Sequence, residues 1–400
     1  MYKKMKKLHL CAAAMAALMC CSMPVMAAGT NYSAEIGGTK TTSFDKYLVM
    51  DDEAEVPNVS FTYTVSSGTA NSYTVDGKKF EVLAGVDADK VAMPGVGTIT
   101  KNEITYAPGD ETSQDANAYV KNYDNTKQKY AKKTAALDFS ACKFTEPGIY
   151  RYVLTEYGSN QGVVNDADLT RAIDVYVDDV SDAEGKKLSV TGYVLHSDED
   201  GDPDVSADSE RGKSQGFTNV YDTSDLTFRK EVSGNQASRD KYFAFTVKIT
   251  DAVAGTRYPV ALDNADVTSG RNAATIETNA EQSNAAELVV GEDGTVTQNF
   301  YLQHGQEITI QGLAAGTKYE VTENAEDYES TAAGVAGYEG AVKSAIASED
   351  VKTSYLNTRN GMIPTGVVMA VSPFVILTLA GGAGAVVFAR KKHKSDDSDE

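Results

Sequence analysis

The 400-residue chain has no tryptophan, only four histidines and only four cysteines. Cys11, Cys20 and Cys21 fall within the first 27 residues, which read as an export signal. Cys142 alone remains, so no internal disulfide can form even in a compartment that permits one. His9 and His393 lie near the ends, leaving His196 and His304 in between. That supply excludes a Cys/His metal cluster and gives a Ser-His-Asp triad little to build on. The expectation is a protein that is not an enzyme and carries no cofactor and no metal. Basic residues are scarce as well: 37 Lys and Arg stand against 57 Asp and Glu, for a net charge of −20. The first 27 residues hold four lysines and the segment after Gly366 is neutral, so the body between them carries about −24. A surface that acidic repels nucleic acid and anionic lipid, and no nucleic-acid partner is expected.

Long apolar runs are confined to the ends. Residues 1–27 carry Lys3, Lys4, Lys6 and Lys7, then an apolar stretch from Leu8 to Met23 and small residues up to Ala27 and Ala28. This is the pattern of a secretory signal peptide cleaved after Ala27 or Ala28. Cys20 and Cys21 invite a lipoprotein reading, but Met19 stands where a small residue is wanted. At the other end, Val367 to Ala389 is free of charge and would reach about 34 Å as a helix, enough for a hydrocarbon core of roughly 30 Å. Arg390, Lys391, Lys392 and Lys394 open the tail 390–400 and hold it in the cytoplasm. A plain membrane anchor needs nothing more. Met362-Ile363-Pro364-Thr365-Gly366, just outside that run, resembles the sorting signal of Gram-positive surface proteins in its pilin variant. The resemblance implies a sortase that cuts between Thr365 and Gly366 and joins Thr365 to an amine. The acidic end, DDSDE, departs from most such tails, and a chance Pro-Thr-Gly beside a simple anchor is the alternative.

Between the ends the chain is rich in short alternating runs: VSFTYTV (59–65), GIYRYVL (148–154), AIDVYVDDV (172–180), YFAFTVKIT (242–250), QEITI (306–310) and KYEVTE (318–323). Such runs, separated by Gly, Asn, Asp and Ser, predict an all-β fold of two tandem Ig-like β-sandwiches, spanning 28–221 and 222–361. Segments 66–140 and 181–216 alternate poorly and are expected to hold long loops or a short helix. A weak internal repeat supports two units. Phe61-x-Tyr63-Thr64-Val65 answers Phe243-x-Phe245-Thr246-Val247, and Tyr152-Val153-Leu154-Thr155-Glu156 answers Tyr319-Glu320-Val321-Thr322-Glu323. The boundary falls near Tyr221 to Asp225 with almost no linker, so the units should be tightly joined.

Strand side chains alternate, so residues two apart share a face. Leu226, Phe228, Lys230 and Val232 then place a lysine in an apolar row; Tyr319, Val321 and Glu323 place a glutamate in another; Tyr355 and Asn357 place an asparagine beside an aromatic. The first unit repeats the order with Phe44-Lys46-Leu48, Tyr152-Leu154-Glu156 and Phe217-Asn219-Tyr221. One lysine in such a row is ordinarily a strand-end residue whose amine reaches water. The same three residue types, in the same order, in both units, point to joint chemistry. Burial lowers a lysine pKa and raises a glutamate pKa. A neutral ε-amine is a nucleophile, and a protonated glutamate can polarise an asparagine carboxamide and pass protons to departing ammonia. The product is a Lys–Asn isopeptide bond formed once, inside the fold.

The order of Lys, then Glu in Tyr-x-x-Thr-Glu, then Asn in the last strand resembles the isopeptide-bonded, CnaB-like β-sandwich domains of Gram-positive backbone pilins. In particular it resembles the streptococcal major pilin (T-antigen) family, with two such domains in tandem, over roughly residues 40–366. The most specific stretches are KYLVMDDEAEVPNVSFTYTV, FTEPGIYRYVLTE, FTNVYDTSDLTFRKEV and LNTRNGMIPTG. The resemblance implies bonds Lys46–Asn219, promoted by Glu156, and Lys230–Asn357, promoted by Glu323. It also implies an acceptor lysine in the first unit shortly before its last strand. Lys213 is best placed, with Lys186 and Lys187 as competitors. The implied function is the backbone subunit of a covalently polymerised pilus, secreted and anchored to the cell wall. Its partners would be a sortase, neighbouring pilin subunits, peptidoglycan and a host or cell-surface ligand that supports attachment. A monomeric wall-anchored adhesin with the same stalk is the alternative, and a wall-attached hydrolase would need paired catalytic groups in a cleft. The acidic run SDEDGDPD (197–204) lacks the spacing of an EF-hand loop and reads as a solvated loop; Cys142 reads as a small buried hydrophobe.

Overall fold

The computed structural model describes residues 32–33, 36–94, 102–198, 200–203, 212–263, 284–331, 336–340 and 344–361. The export signal, the pentapeptide containing Thr365 and Gly366, the apolar run and the basic tail lie outside the described residues. Among the described residues no helix is long and apolar enough to cross a membrane.

Strands of six or more residues are labelled in chain order. They are β1 (Thr41–Asp51), β2 (Val59–Ser67), β3 (Lys78–Ala84), β4 (Gln128–Asp138), β5 (Gly148–Tyr157), β6 (Thr170–Asp179), β7 (Leu188–His196) and β8 (Gly216–Tyr221). After these come β9 (Thr223–Ser233), β10 (Phe243–Thr250), β11 (Arg257–Asp263), β12 (Val296–Leu302), β13 (Glu307–Ala314), β14 (Lys318–Glu323) and β15 (Val351–Thr358). They form two pairs of facing sheets. In the first, one sheet runs β7-β6-β5-β2, with β3 lying parallel to the start of β5, and the other runs β8-β1-β4. In the second, β11-β13-β9-β15 faces β12-β10-β14. Each pair is a β-sandwich, and the fold is all-β.

The period of two explains the cores. Along β10, Phe243, Phe245, Val247 and Ile249 are buried while the residues between them are not. They pack with Phe228 and Phe300 into one apolar cluster. In the first sandwich Phe44, Phe61, Tyr63 and Phe217 belong to a separate cluster. Each fully buried aromatic of this kind contributes about 1.5–3 kcal/mol.

The first and last strands of each sandwich lie side by side and parallel. β1 pairs with β8 and β9 pairs with β15. A parallel pair requires a long crossover, here the rest of the sandwich. The chain therefore enters and leaves each unit along adjacent strands. Between the sandwiches a single residue, Asp222, separates β8 from β9. Its N–H donates to the Gly162 carbonyl at 2.6 Å and its carbonyl accepts from Ala315 N–H at 3.0 Å. The Gln161 amide donates to the Asp251 carbonyl at 2.6 Å, Gln311 to Glu53 at 2.6 Å and Thr223 to Asp51 at 2.9 Å. This ties the two units across the junction.

Segments 66–140 and 181–216 do hold long loops, including 114–127, but each also contributes a long strand that the loop-rich reading did not expect. β4 pairs with β1 along all eleven residues, and β7 closes on β6. β4 escaped notice because its open face is lysine-rich and interrupts the alternation. Tyr130, Ala131, Ala135 and Leu137 are buried, while Lys132 reaches outward over the ring of Tyr47. The helical content described in 66–140 is one 3-10 turn, Ala88–Lys90.

Candidate crosslinking sites

Five of the six residues expected in the polar rows are buried, and the sixth, Glu323, is half-buried with only 3 % of its side chain exposed. Lys46, Asn219, Lys230 and Asn357 have no exposed surface, and Glu156 has 1 %. The register shows why each lysine and asparagine share a neighbourhood. Lys46 is paired with Phe217, and Asn219 stands two residues further along β8 on the same face. Lys230 is paired with Tyr355, and Asn357 stands two residues further along β15. The offset is the same in both units. Two residues along an adjacent strand is a diagonal of roughly 8 Å between backbones, within reach of a lysine side chain.

The glutamate arrives from the facing sheet. At the first site Lys46 Nζ lies 2.7 Å from Glu156 Oε2 and 2.9 Å from Oε1, and sits over the Phe61 ring at 4.2 Å. Burial, opposed by the pull of Glu156, pushes the Lys46 ammonium down to about 8. The Tyr63 hydroxyl donates to Glu156 Oε2 at 2.7 Å. Asn219 is turned toward the loop before β6: its Oδ1 accepts from Asp166 N–H at 3.1 Å, and its Nδ2 donates to Asn165 at 3.2 Å. Hydrogen bonding from Asp166 N–H draws electron density toward Oδ1 and leaves Cγ open to attack. Arg171, ion-paired with Asp166 at 2.6 Å and stacked over Phe217, holds that loop in place.

At the second site all three groups meet. Lys230 Nζ lies 2.6 Å from Glu323 Oε1, donates to the Tyr355 carbonyl at 3.0 Å and sits over the Phe243 ring at 4.5 Å. Asn357 Nδ2 donates to the same Oε1 at 2.9 Å. Burial pushes Lys230 down to about 8 against the attraction of Glu323. Burial also raises the Glu323 carboxyl, offset in part by Lys230 and Asn357. The gap between donor and acceptor narrows from both sides, which makes proton transfer from amine to carboxylate easier. Among the described residues, Glu323 Oε2 and Asn357 Oδ1 are buried without a hydrogen-bond partner. Buried polar atoms left unpaired are costly, and a proton on Glu323 Oε2 would give Asn357 Oδ1 a donor.

Residues 99–222 match a family described as the Spy0128-like isopeptide containing domain, and residues 224–359 match a domain of unknown function, DUF7601. A pilin from Streptococcus pyogenes serotype M1 is 26% identical over 375 residues, covering 90% of this chain and 92% of its own. The chain is thus similar, along nearly its whole length, to a streptococcal pilin. The pilus tip adhesin Cpa of Streptococcus pyogenes is 30% identical over 149 residues, covering 36% of this chain and 18% of its own length. A crystal structure of the major pilin from Streptococcus pyogenes shares 23% identity, with a TM-score of 0.48, over 82% of this chain and 100% of that chain.

Some residues of the candidate sites escape the sequence reading. Phe61 and Phe243 cover the two lysines, and Tyr63 and Phe245 are paired with the two glutamates. The recurrence of Phe-x-Tyr/Phe-Thr-Val was their only signal. The candidate acceptors differ in setting. Lys186 is exposed beside the Tyr32 ring, and Lys187 is ion-paired with Asp182 at 2.8 Å at the surface. Lys213 is 8 % exposed, with its Nζ 2.8 Å from the Asp202 carbonyl. Among the described residues no group of three or more His, Cys, Asp or Glu converges as metal ligands would. Residue 199 and residues 204–211, in and after the acidic run, lie outside the described residues.

Proposed function

We propose that this backbone pilin closes each sandwich with its own Lys–Asn isopeptide bond and is joined to its neighbours through Lys213. One observation carries the first part: a buried Lys–Glu ion pair with an asparagine at the same register offset occurs in both units. A buried ion pair is weak as a stability device, but it is the arrangement an autocatalytic amide exchange requires.

At each site the lysine ammonium gives a proton to the glutamate. The neutral Nζ attacks Cγ of the asparagine, the C–N bond to Nζ forms, and the C–Nδ2 bond breaks. Glu156 or Glu323 gives that proton to Nδ2, ammonia leaves, and the carboxylate so regenerated takes up the second proton that Nζ sheds as the amide forms. The reaction turns over once. Because first and last strands are parallel neighbours, the bond lies directly between the strands through which the chain enters and leaves. Tension along a pilus then loads a covalent link instead of peeling β1 from β8 or β9 from β15.

Polymerisation uses the C-terminal signal. A sortase cuts between Thr365 and Gly366, and the Thr365 carboxyl is joined to Lys213 of the next subunit, or to peptidoglycan for the last one. The pilus stands on the cell surface. Intact-mass spectrometry and an immunoblot of boiled, detergent-treated wall extracts test these statements together. The expected results are a subunit lighter by two ammonia molecules and a high-mass ladder. A single monomer-sized, wall-linked species would refute polymerisation, and a subunit of unreduced mass would refute the crosslinks.

A further inference from the structure

A second buried polar network, about which the crosslinking chemistry says nothing, ends on Lys213. Asp174 on β6 is fully buried and accepts two bonds from Arg151 on β5, Nε at 2.8 Å and Nη2 at 2.7 Å. Its Oδ2 also lies 2.8 Å from His196 Nε2, at the end of β7. His196 has no exposed surface, and its other ring nitrogen, Nδ1, faces Lys213 Nζ at 3.3 Å. A lysine ammonium has no lone pair to offer, and an aspartate has no proton to give. The tautomer that satisfies both neighbours carries its proton on Nε2 and its lone pair on Nδ1. The order carboxylate, imidazole, nucleophile is that of an activated nucleophile whose base is oriented by a third group.

The strap over this network is built to fit. Three successive carbonyls, those of Gly201, Asp202 and Pro203, accept from Arg151, Lys213 and Tyr176. Gly201 lies flat on the imidazole: a Cβ there would stand 2.6 Å from His196 Nδ1. Asp202 Oδ1, at 3.5 Å from Nζ, keeps the ammonium beside the ring.

Resting on the reading of Lys213 as the inter-subunit acceptor, we infer that Arg151, Asp174 and His196 form a proton relay that activates Lys213 for acyl transfer. The acyl donor is a thioester between Thr365 of the incoming subunit and the cysteine of a transpeptidase. Lys213 Nζ passes a proton to His196 Nδ1, and the resulting imidazolium is stabilised by Asp174. The freed lone pair attacks the thioester carbonyl, the C–N bond forms and the C–S bond breaks. The thiolate leaves and takes up the second amine proton, and His196 returns its proton to water. Arg151 and Asp174 act as positioning residues, since neither touches the reacting nitrogen.

The test follows ladder formation by pulse-chase in native cells making the full chain, with Lys213→Arg, His196→Gln and His196→Ala. Lys213→Arg should abolish the ladder. His196→Gln should keep both ammonia losses but slow ladder growth roughly 100-fold, the typical contribution of a general base. Imidazole in the medium should restore the His196→Ala rate, which a packing role would not predict. A normal rate in His196→Gln overturns the relay while leaving Lys213 as acceptor, and so does a folded His196→Ala protein that imidazole fails to rescue. A ladder unaffected by Lys213→Arg overturns both acceptor and relay but leaves the crosslinks and the polymer standing. Imidazole nitrogen NMR on the unsubstituted pilin gives a readout that needs no variant. Nδ1 of His196 should be unprotonated, and a proton found there would overturn the relay.

Discussion

Glu323→Gln isolates the chemistry of the second site with little change of shape. Glutamine occupies the same volume and still offers an oxygen to Lys230, but it cannot accept and return a proton. The bond Lys230–Asn357 should not form, and the intact mass should exceed that of wild type by one ammonia, with the first bond unaffected. The stability consequence follows from the loop that the bond closes, residues 230 to 357. By the chain-entropy relation used for disulfides, closing a loop of that length stabilises by about 5 kcal/mol. For a sandwich of this size that is roughly 15–20 °C in the melting temperature of the second unit. Leaving Lys230 buried without its carboxylate adds a penalty of about 3–5 kcal/mol, so the measured fall should be at least that large. Differential scanning calorimetry beside mass spectrometry gives both numbers on one preparation. A variant that still loses two ammonia molecules would refute Glu323 as the proton carrier. One that loses a single ammonia but melts as wild type would refute the stabilising role of the bond.

Two other substitutions probe the differences between the sites. Tyr63→Phe removes the hydroxyl bound to Glu156 and makes the first site resemble the second, where Phe245 holds the equivalent place. The Lys46–Asn219 bond should still form, while stability falls by about 1.5–3 kcal/mol, the usual worth of a hydrogen bond to a charged group; loss of the bond in the mass spectrum would break the equivalence of the two sites. Asn357→Ala leaves Lys230 titratable inside the fold, at about 8 against 10.5 when unfolded. Between those values the unfolded chain binds more protons, so the second unit of this variant should become more stable as pH rises from 8 to 10. Melting curves in that window that stay flat or fall would show that Lys230 is not held neutral by burial.

Much of the site was legible because face membership is a local property. Lys46, Glu156 and Asn219, like Lys230, Glu323 and Asn357, each sit in a short run whose alternation puts them among aromatic and aliphatic neighbours. The backbone repeat alone then predicts burial. Arg151 shows where that logic ends. It lies between Tyr150 and Tyr152, whose rings face the core, so alternation assigns it to solvent. It is 1 % exposed because residues 201–203 fold across that outer face and its guanidinium pairs with Asp174. β4 failed for the related reason that its lysines mark an open face and hide a strand paired along its whole length.

The amino-acid sequence by itself determined the all-β class, the doubling of the unit and the residue types on each strand face, since these depend on side-chain period and recurrence over a few residues. Only the tertiary structure decided which faces meet. The parallel pairing of first and last strands brings Lys to Asn after a crossover of more than a hundred residues, and the facing sheet supplies Glu. Tyr63 at one site and Phe245 at the other, and the meeting of Arg151, Asp174, His196 and Lys213, likewise follow from that crossover. No local pattern encodes it, because contacts between distant strands are selected by burial of the whole core and by the closure of the loops between them.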